Sequence, residues 1–182
     1  MPTDVRVLTV CTHNRTRSVM MAALIARDLR ARGYYPMLRS AGFGPEGIQA
    51  ISDAVDAMAR RGLDVSAHRS QQVRTDLLDD ADLIVTAERD HVVKIAAMSP
   101  TAFARTMTLP EALDRAATGA GAGASDVRSW AAALTDGRRA SEYLRARVPE
   151  VSDPTGSARR AFEAAVADIE AQCAQLVASM PT

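Results

Sequence analysis

The sequence predicts an α/β fold in which an open, parallel, four-stranded sheet carries helices on both faces. Two features of the sequence lead to this prediction. Short apolar runs of strand length recur along the chain, and they alternate with longer stretches whose apolar residues recur every three or four positions. Parallel strands are joined by crossover connections, usually helices, which cover both faces of the sheet. Since such crossovers are right-handed, few topologies remain.

The predicted elements follow one another in a regular order. Apolar runs bounded by turn residues give four strands, which are 5–10, 36–41, 81–86 and 105–109. Helical periodicity gives helices at 18–32, 47–61 and 89–98, another after Pro110, a helical run over 130–147 and a last helix at 157–179. The segment ATGAGAGASD, residues 117–126, is typical of a flexible surface linker.

Length and charge limit the kind of protein. A chain of 182 residues fits one domain, so we expect a single domain over 1–182 with a longer helical and Gly/Ala-rich insertion at about 99–147. Basic and acidic residues number 22 each, which gives no general attraction to nucleic acid or to an anionic membrane. The N-terminus lacks a signal-peptide core, and no run approaches membrane-spanning length. We therefore expect a soluble, cytoplasmic protein without nucleic-acid or membrane partners.

The stretch VLTVCTHNRTRSVMMAALI holds the candidate site. Its strand-like run ends at Cys11 and its helical run begins near Ser18. A loop between the first strand and the first helix lies at the carboxyl edge of the sheet, where open α/β folds bind ligands. Free amides at the helix N-terminus and the helix dipole together form an anion site. The loop residues are Thr12, His13, Asn14, Arg15, Thr16, Arg17 and Ser18.

Cys11 and Arg17 give this loop its chemistry. The guanidinium of Arg17 matches two phosphate oxygens in geometry, although a cation at a helix N-terminus opposes the dipole unless an anion sits between. A thiol is a strong nucleophile as the thiolate, a form that a positive field favours. Spacing alone is weak evidence because arginine makes up 21 of the 182 residues. A buried strand-end cysteine and an ordinary first-turn arginine are the structural alternatives.

The motif VCTHNRTRS, with Cys11, Asn14, Arg17 and Ser18, resembles the low-molecular-weight protein tyrosine phosphatase family. Further matches are SAG at 40–42, GLDVSAHRS at 62–70, ADLIVTAERDH at 81–91 and VSDP at 151–154. The resemblance implies the flavodoxin-like α/β fold of that family and a bacterial, metal-independent phosphomonoester hydrolase with no cofactor, working through a phosphocysteine, with phosphotyrosine in proteins as the expected substrate. Relatives of the family include arsenate reductases and bacterial phosphatases acting on tyrosine kinases of polysaccharide export.

The resemblance also implies roles outside the loop. Asp153 would be the general acid, protonating the leaving oxygen and then taking a proton from the attacking water; a turn or N-cap role is the alternative for an Asp before Pro. Asn14, Ser18, Ser40 and His68 would hold the loop through hydrogen bonds. For His68 a purely structural role is the alternative.

Three positions depart from the family pattern. Thr16 stands where many relatives carry a second cysteine, so no vicinal disulfide with Cys11 can form. Thr155 and Gly156 follow the Asp-Pro pair where an aromatic residue usually flanks the substrate ring, which leaves a phosphotyrosine preference open. Phe43 is a candidate replacement for that wall. Arg15 adds a charge that favours a more anionic substrate or simply faces solvent.

Other functions remain possible at this stage. An arsenate reductase would use the same loop with a small-molecule thiol, since Cys173 falls on an apolar helix face. A catalytically silent phosphate-binding module would dock through the insertion and the helix around Trp130. The three histidines have no metal-ligand spacing, which predicts no metal site. Expected partners are a phosphorylated protein or small phosphoester and oxyanions such as phosphate, vanadate and arsenate; the oligomeric state is not predicted.

Overall fold

The computed structural model describes residues 4–181. Its four strands are β1 (Asp4–Val10), β2 (Tyr35–Ala41), β3 (Leu83–Thr86) and β4 (Thr106–Thr108). They form one parallel sheet in the order β2-β1-β3-β4. The expected α/β architecture is thus confirmed.

The sheet is connected and covered by helices. These are α1 (Arg17–Ala31), α2 (Ser52–Ala59), α3 (Thr75–Asp80), α4 (Arg89–Met98), α5 (Leu109–Ala117), α6 (Val127–Leu134), α7 (Ala140–Tyr143) and α8 (Arg159–Ser179), with a 3-10 helix at Ala102–Arg105 before β4. None of the helices within residues 4–181 is both long and apolar enough to cross a membrane.

The central strand β1 carries apolar residues on both sides because both sides are buried. In β1, Val5 and Val7 belong to a larger cluster with α1, α2, α5, α6 and α8, whereas Leu8 and Val10 belong to a smaller cluster on the opposite face with α3 and α4. Successive side chains of a strand point to opposite faces. The continuous apolar run of β1 therefore serves two cores, as expected for a central parallel strand.

The strand order places the end of β1 at the centre of the functional edge. The chain passes from β1 to β2 on one side and returns to pair β3 on the other, so the order reverses at β1. Val10 lies opposite Ala41 of β2 and Thr86 of β3. Ligands of open α/β sheets bind at such a switch point. The loop after Val10 is thus flanked by the segments that follow β2 and β3.

The helix expected at 47–61 begins five residues late, at Ser52. The residues before it form a second layer of loop: the Gly47 amide donates to the carbonyl of Ser70, and Gln49 forms an antiparallel bridge with Arg69. Gly47 has φ 77°, a left-handed conformation that interrupts a right-handed helix. The early part of the predicted helix was therefore wrong because its backbone bonds to another loop.

Two further helical predictions need correction. Helix α3 was not predicted, since six residues are too few to show a periodicity. The helical run expected at 130–147 is two short helices, α6 and α7. Gly137, with φ 71°, separates them, and the following Arg138 turns inward, with its guanidinium 4.1 Å from the Phe103 ring centre and paired with Glu111.

The Gly/Ala segment expected as a flexible linker packs against the protein. Ala120 and Ala124 lie against the larger apolar cluster. At Gly121, a Cβ atom would lie 2.5 Å from Cδ1 of Trp130, and Trp130 itself is only 2% exposed. This tryptophan is therefore part of the core rather than a free docking residue. That 1–182 form one domain with an insertion at 99–147 stays a prediction.

We expect Trp130→Ala to lower the free energy of unfolding by about 3–5 kcal/mol, because it empties a buried aromatic site. Urea unfolding, with the slope of the transition checked for constancy, measures the loss. The control is Leu144→Ala, since Leu144 is 55% exposed and such a surface change costs about 0.5 kcal/mol or less. Equal effects of the two substitutions would mean that the segment around Trp130 does not stabilise the core.

Candidate active site

Four carbonyl groups of the loop from Cys11 to Ser18 point outward, toward neighbouring segments. The carbonyl of Thr12 accepts hydrogen bonds from the amides of Phe43 and Gly44, at 2.7 and 3.0 Å. The carbonyls of Asn14, Arg15 and Ser18 accept from the His68 ring, the Ile51 amide and the Thr9 hydroxyl. Each outward carbonyl is thus satisfied by a neighbouring segment.

The amides of the same loop have no such partners. Within residues 4–181, no protein acceptor is assigned to the N–H groups of residues 12–18. Residues 17 and 18 open α1, whose first amides are free for the same reason as in any helix. Consecutive unpaired amides at a positive helix terminus are a preorganised oxyanion site. The backbone thus has the form that the predicted anion cradle requires, and anion binding there stays a prediction.

Asn14 maintains this shape. It has φ 52°, the only positive φ among the described non-glycine residues, a conformation that Asn tolerates better than most. Its Oδ1 accepts from the Gln71 amide at 2.9 Å, and its Nδ2 donates to Ser18 Oγ and Ser40 Oγ, each at 2.9 Å. The backbone donor at Oδ1 fixes which end of the amide is oxygen. Ser40 thus supports the loop through Asn14, as the resemblance implied.

Cys11 lies at the base of the cradle and is 3% exposed. Its Sγ atom is 3.0 Å from Ser18 Oγ. Because Asn14 already donates to that oxygen, the Ser18 hydroxyl hydrogen is free to point at sulfur. A hydroxyl donor at this distance stabilises negative charge on the sulfur.

Arg17 is held by two carboxylates. Its side chain is 4% exposed, and its guanidinium lies 2.6 Å from Glu88 and 3.0 Å from Asp153. It also donates to the carbonyl of Val151 at 3.1 Å. These contacts bring the 151–153 segment, from the far end of the chain, against the cradle. A buried charge with several hydrogen-bonding partners is firmly oriented.

Asp153 lies beside the cradle in an ionised state. Partial burial works to raise the pKa of its carboxyl, but hydrogen bonds from Thr155 and the charges of Arg17 and His13 outweigh that effect. The pKa is therefore below its ordinary value. Thr155 supports the segment a second time, since its hydroxyl lies 3.3 Å from that of Thr16.

The remaining predicted residues are His68, Thr16, His13 and Arg15. His68 donates from Nε2 to the carbonyl of Asn14 at 2.8 Å, and burial leads the effects that lower the pKa of its ring, which favours the neutral form. Thr16 is buried at the cradle wall. His13 is exposed, whereas Arg15 donates from Nε to the carbonyl of Gln49 and so is tied to the neighbouring loop.

Two glycines allow the loop after β2 to approach the cradle. A Cβ atom on Gly42 would lie 2.7–2.9 Å from backbone atoms of Asn14, Thr12 and Cys11. One on Gly44 would lie 2.7 Å from the ring of His13. At Gly42 only glycine permits this close backbone approach, whereas at Gly44 the nearest atom belongs to a side chain. The SAG match therefore has a steric cause that the sequence alone did not reveal.

Glu88 and His91 contact the cradle, and sequence reasoning missed both of them. Glu88 pairs with Arg17, and His91 Nε2 lies 3.1 Å from the Thr12 hydroxyl. The Glu88 amide donates to His91 Nδ1 at 3.1 Å. A Glu-x-x-His pattern directly after a strand that neighbours β1 was the available signal. Within residues 4–181, no group of three or more metal-binding side chains is arranged to hold an ion.

Comparison with protein families adds to this geometry. The model of a family described as low molecular weight phosphotyrosine protein phosphatase matches residues 6–126, more than half of the chain. The chain belongs to this family. Its recognition from the VCTHNRTRS motif is confirmed, and the protein is a cysteine-dependent phosphatase.

Two bacterial relatives in this phosphatase family are named for different phosphorylated residues. A probable low molecular weight protein-tyrosine-phosphatase, EpsP of Ralstonia nicotianae, is 34% identical over 106 residues, 58% of this chain and 70% of the relative. A protein-arginine-phosphatase of Geobacillus stearothermophilus is also 34% identical, over 107 residues, with the same coverage. The names therefore agree on phosphatase chemistry and differ in the phosphorylated residue.

The phosphatase fold extends over nearly the whole chain. The crystal structure of a YwlE mutant from Bacillus subtilis superposes with a TM-score of 0.73 over 96% of this chain and 97% of that one. At 23% identity this likeness concerns the fold alone. The region beyond residue 126 thus follows the same overall fold although the family model does not reach it.

We expect Gly42→Ala to weaken phosphate binding at least about 10-fold, because the new methyl group displaces the cradle backbone, and overpacking of this kind typically costs 1–3 kcal/mol. Calorimetric titration with inorganic phosphate measures it. The control is Gly47→Ala, where φ 77° introduces strain but no atom lies within 4 Å of the added Cβ. Unchanged phosphate affinity in the Gly42 variant would contradict the steric explanation.

Proposed function

We propose that the protein hydrolyses phosphomonoesters of protein substrates without a metal ion, through a phosphocysteine on Cys11. The observation that carries this proposal is the run of unpaired amides, residues 12–18, that directly follows buried Cys11. The amides and Arg17 hold the three non-bridging oxygens of the phosphoryl group. Donors that are already oriented stabilise charge in the transition state at little reorganisation cost.

The first step is attack by the Cys11 thiolate on phosphorus. The S–P bond forms as the bond from phosphorus to the leaving oxygen breaks, and that oxygen takes a proton from Asp153. A water molecule then attacks phosphorus and gives a proton back to Asp153 as the S–P bond breaks. The Ser18 hydroxyl, 3.0 Å from sulfur, stabilises the departing thiolate. Inorganic phosphate and free enzyme are restored.

The ion pair between Arg17 and Asp153 couples substrate binding to proton transfer. In the free site the guanidinium lies 3.0 Å from Asp153 and helps to keep its carboxyl ionised. An incoming phosphoryl group competes for the same guanidinium. When Arg17 turns to the phosphoryl oxygens, Asp153 loses a positive neighbour and its protonated form becomes more favourable. Glu88 keeps Arg17 anchored during this exchange.

Phosphotyrosine is the proposed linkage. Phe43 is half-buried beside the cradle, its ring stacked on His91 at 5.8 Å and its amide bonded to Thr12. This ring supplies an aromatic wall at a site where Thr155 and Gly156 supply none. Phosphoarginine is the second candidate, because one of the two relatives described is a protein-arginine-phosphatase. Both linkages present a dianionic phosphoryl group to the same amides.

The two alternatives from the sequence are less well supported. An arsenate reductase would need a second thiol, but Cys173 is fully buried and burial raises the pKa of its thiol, so only a free small-molecule thiol could serve. A silent docking module would need an exposed Trp130, which is buried instead. We place the phosphatase in the bacterial cytoplasm, since its relatives are bacterial and a reducing compartment keeps Cys11 as a thiol.

We expect Cys11→Ser to abolish hydrolysis of p-nitrophenyl phosphate while phosphate and vanadate still bind, because the amides and Arg17 remain. Assays without metal across pH 5–8 and calorimetric titration measure the two properties. The control, Cys173→Ala, removes the other thiol and is expected to keep turnover despite some loss of stability. Turnover by Cys11→Ser would show that another group is the nucleophile.

We expect Asp153→Asn to slow hydrolysis of phenyl phosphate by a factor of about 10²–10⁴, the usual contribution of a general acid. The effect on p-nitrophenyl phosphate should be smaller, because its leaving group departs without a proton more readily. The kcat values of the two esters give the comparison. Asp168→Asn, an exposed change on α8, is the control. An equal loss of kcat for both esters would show that Asp153 is not the general acid.

A further inference from the structure

The N-terminus of α4 contacts both ends of the cradle. Glu88, just before the helix, pairs with Arg17 at the end of the loop. His91, in the first turn, bonds to Thr12 at its start. Glu88 positions Arg17, which binds the phosphoryl group in the proposed mechanism. That mechanism gives no role to the contact between His91 and Thr12.

The hydrogen positions on His91 follow from its neighbours. A backbone amide can only donate, so the bond from the Glu88 N–H makes Nδ1 an acceptor. Burial, with only 1% of the residue exposed, is the main effect that lowers the pKa of the ring to about 4, with Arg17 and Lys94 acting in the same direction and Glu88 and Asp90 opposing them. The neutral ring therefore carries its single hydrogen on Nε2. That hydrogen points at the Thr12 hydroxyl oxygen, 3.1 Å away.

The Thr12 hydroxyl is consequently an acceptor from His91 with its own hydrogen left over. Within residues 4–181, no acceptor is assigned to that hydrogen. Thr12 directly follows Cys11 and is partly exposed. The same arrangement is found at Ser18. Asn14 donates to the Ser18 hydroxyl oxygen, which leaves the serine hydrogen free for Cys11. Two hydroxyl groups of the loop are thus oriented by a neighbouring donor.

We propose that His91 is a positioning residue that orients the Thr12 hydroxyl as an additional, uncharged hydrogen-bond donor to the bound phosphoryl group. The inference rests on the proposed function, because it names a further contact of the same site. His91 touches no reacting atom and acts through Thr12. Its own position is fixed by the Glu88 amide and by the stacked ring of Phe43, over which Lys94 lies at 5.1 Å.

The chain offers matched variants for each partner. His91→Asn keeps an acceptor near the Nδ1 position, so the Glu88 bond survives and the donor to Thr12 is lost. His91→Gln places an amide donor near the Nε2 position and can restore that contact. Thr12→Val removes the hydroxyl with little change of shape, whereas Thr12→Ser keeps it. Calorimetric titration with inorganic phosphate compares all four with the wild type, and thermal unfolding shows which are folded.

Loss of one hydrogen bond to a charged group predicts a roughly 10-fold weaker phosphate affinity in both His91→Asn and Thr12→Val. The double variant should be no weaker than Thr12→Val alone, since His91 acts through that hydroxyl. His91→Gln and Thr12→Ser should return to within about 3-fold of wild type. A further 10-fold loss in the double variant, or no rescue by His91→Gln, would overturn the proposal in favour of a purely structural histidine.

The outcomes separate this inference from the proposed function. Phosphate titration needs no turnover. If the wild-type protein binds phosphate and shows the coupling between His91 and Thr12 but hydrolyses no ester, the phosphatase mechanism is wrong and the role of His91 stands. If His91→Asn does not fold, the comparison of Thr12→Val with Thr12→Ser decides. Equal phosphate affinity of these two variants overturns the proposal, and a 10-fold difference supports it.

Discussion

The side-chain amide of Asn14 is the interaction on which the site depends. The loop turns through Asn14, whose φ of 52° lies outside the usual backbone regions. Its oxygen and both of its hydrogens are bonded, to Gln71, Ser18 and Ser40. A fully satisfied buried polar group gives rigidity and a single arrangement. The same three bonds join the cradle to the loop before α3, to α1 and to β2, and they set the direction of the Ser18 hydroxyl.

The charges of the site balance one another before any ligand arrives. Buried Arg17 would be costly alone, and Glu88 and Asp153 compensate it. The two carboxylates are not equivalent, because Asp153 is about half exposed and Glu88 less so. The more exposed partner is the easier one to exchange for a phosphoryl group. In the proposed mechanism, electrostatic compensation and proton transfer therefore use the same residue, Asp153.

Local parts of the fold and the site could be predicted from the sequence, and long-range parts could not. The strand, loop and helix around Cys11 are contiguous, so apolar pattern and motif were sufficient. The assignment of Asp153 needed a resemblance, because nothing local distinguishes it from a turn residue. Gly42 and Glu88 act through neighbours 28 to 71 positions away in the chain, and their contacts follow from strand order. The helix expected from residue 47 failed for a similar reason, since Gly47 and Gln49 bond to residues near 70.

The contact between Arg17 and Asp153 joins residues 136 positions apart, so the ribosome adds Asp153 long after Arg17. Most residues that shape the cradle lie between Thr9 and His91, so they are synthesised while the second half of the chain is still to be made. The proposed acid, Asp153, comes from a segment translated much later, as does α8, which shares the larger apolar core with β1 and α1. The full set of site residues therefore comes together only when the last segment of the chain docks.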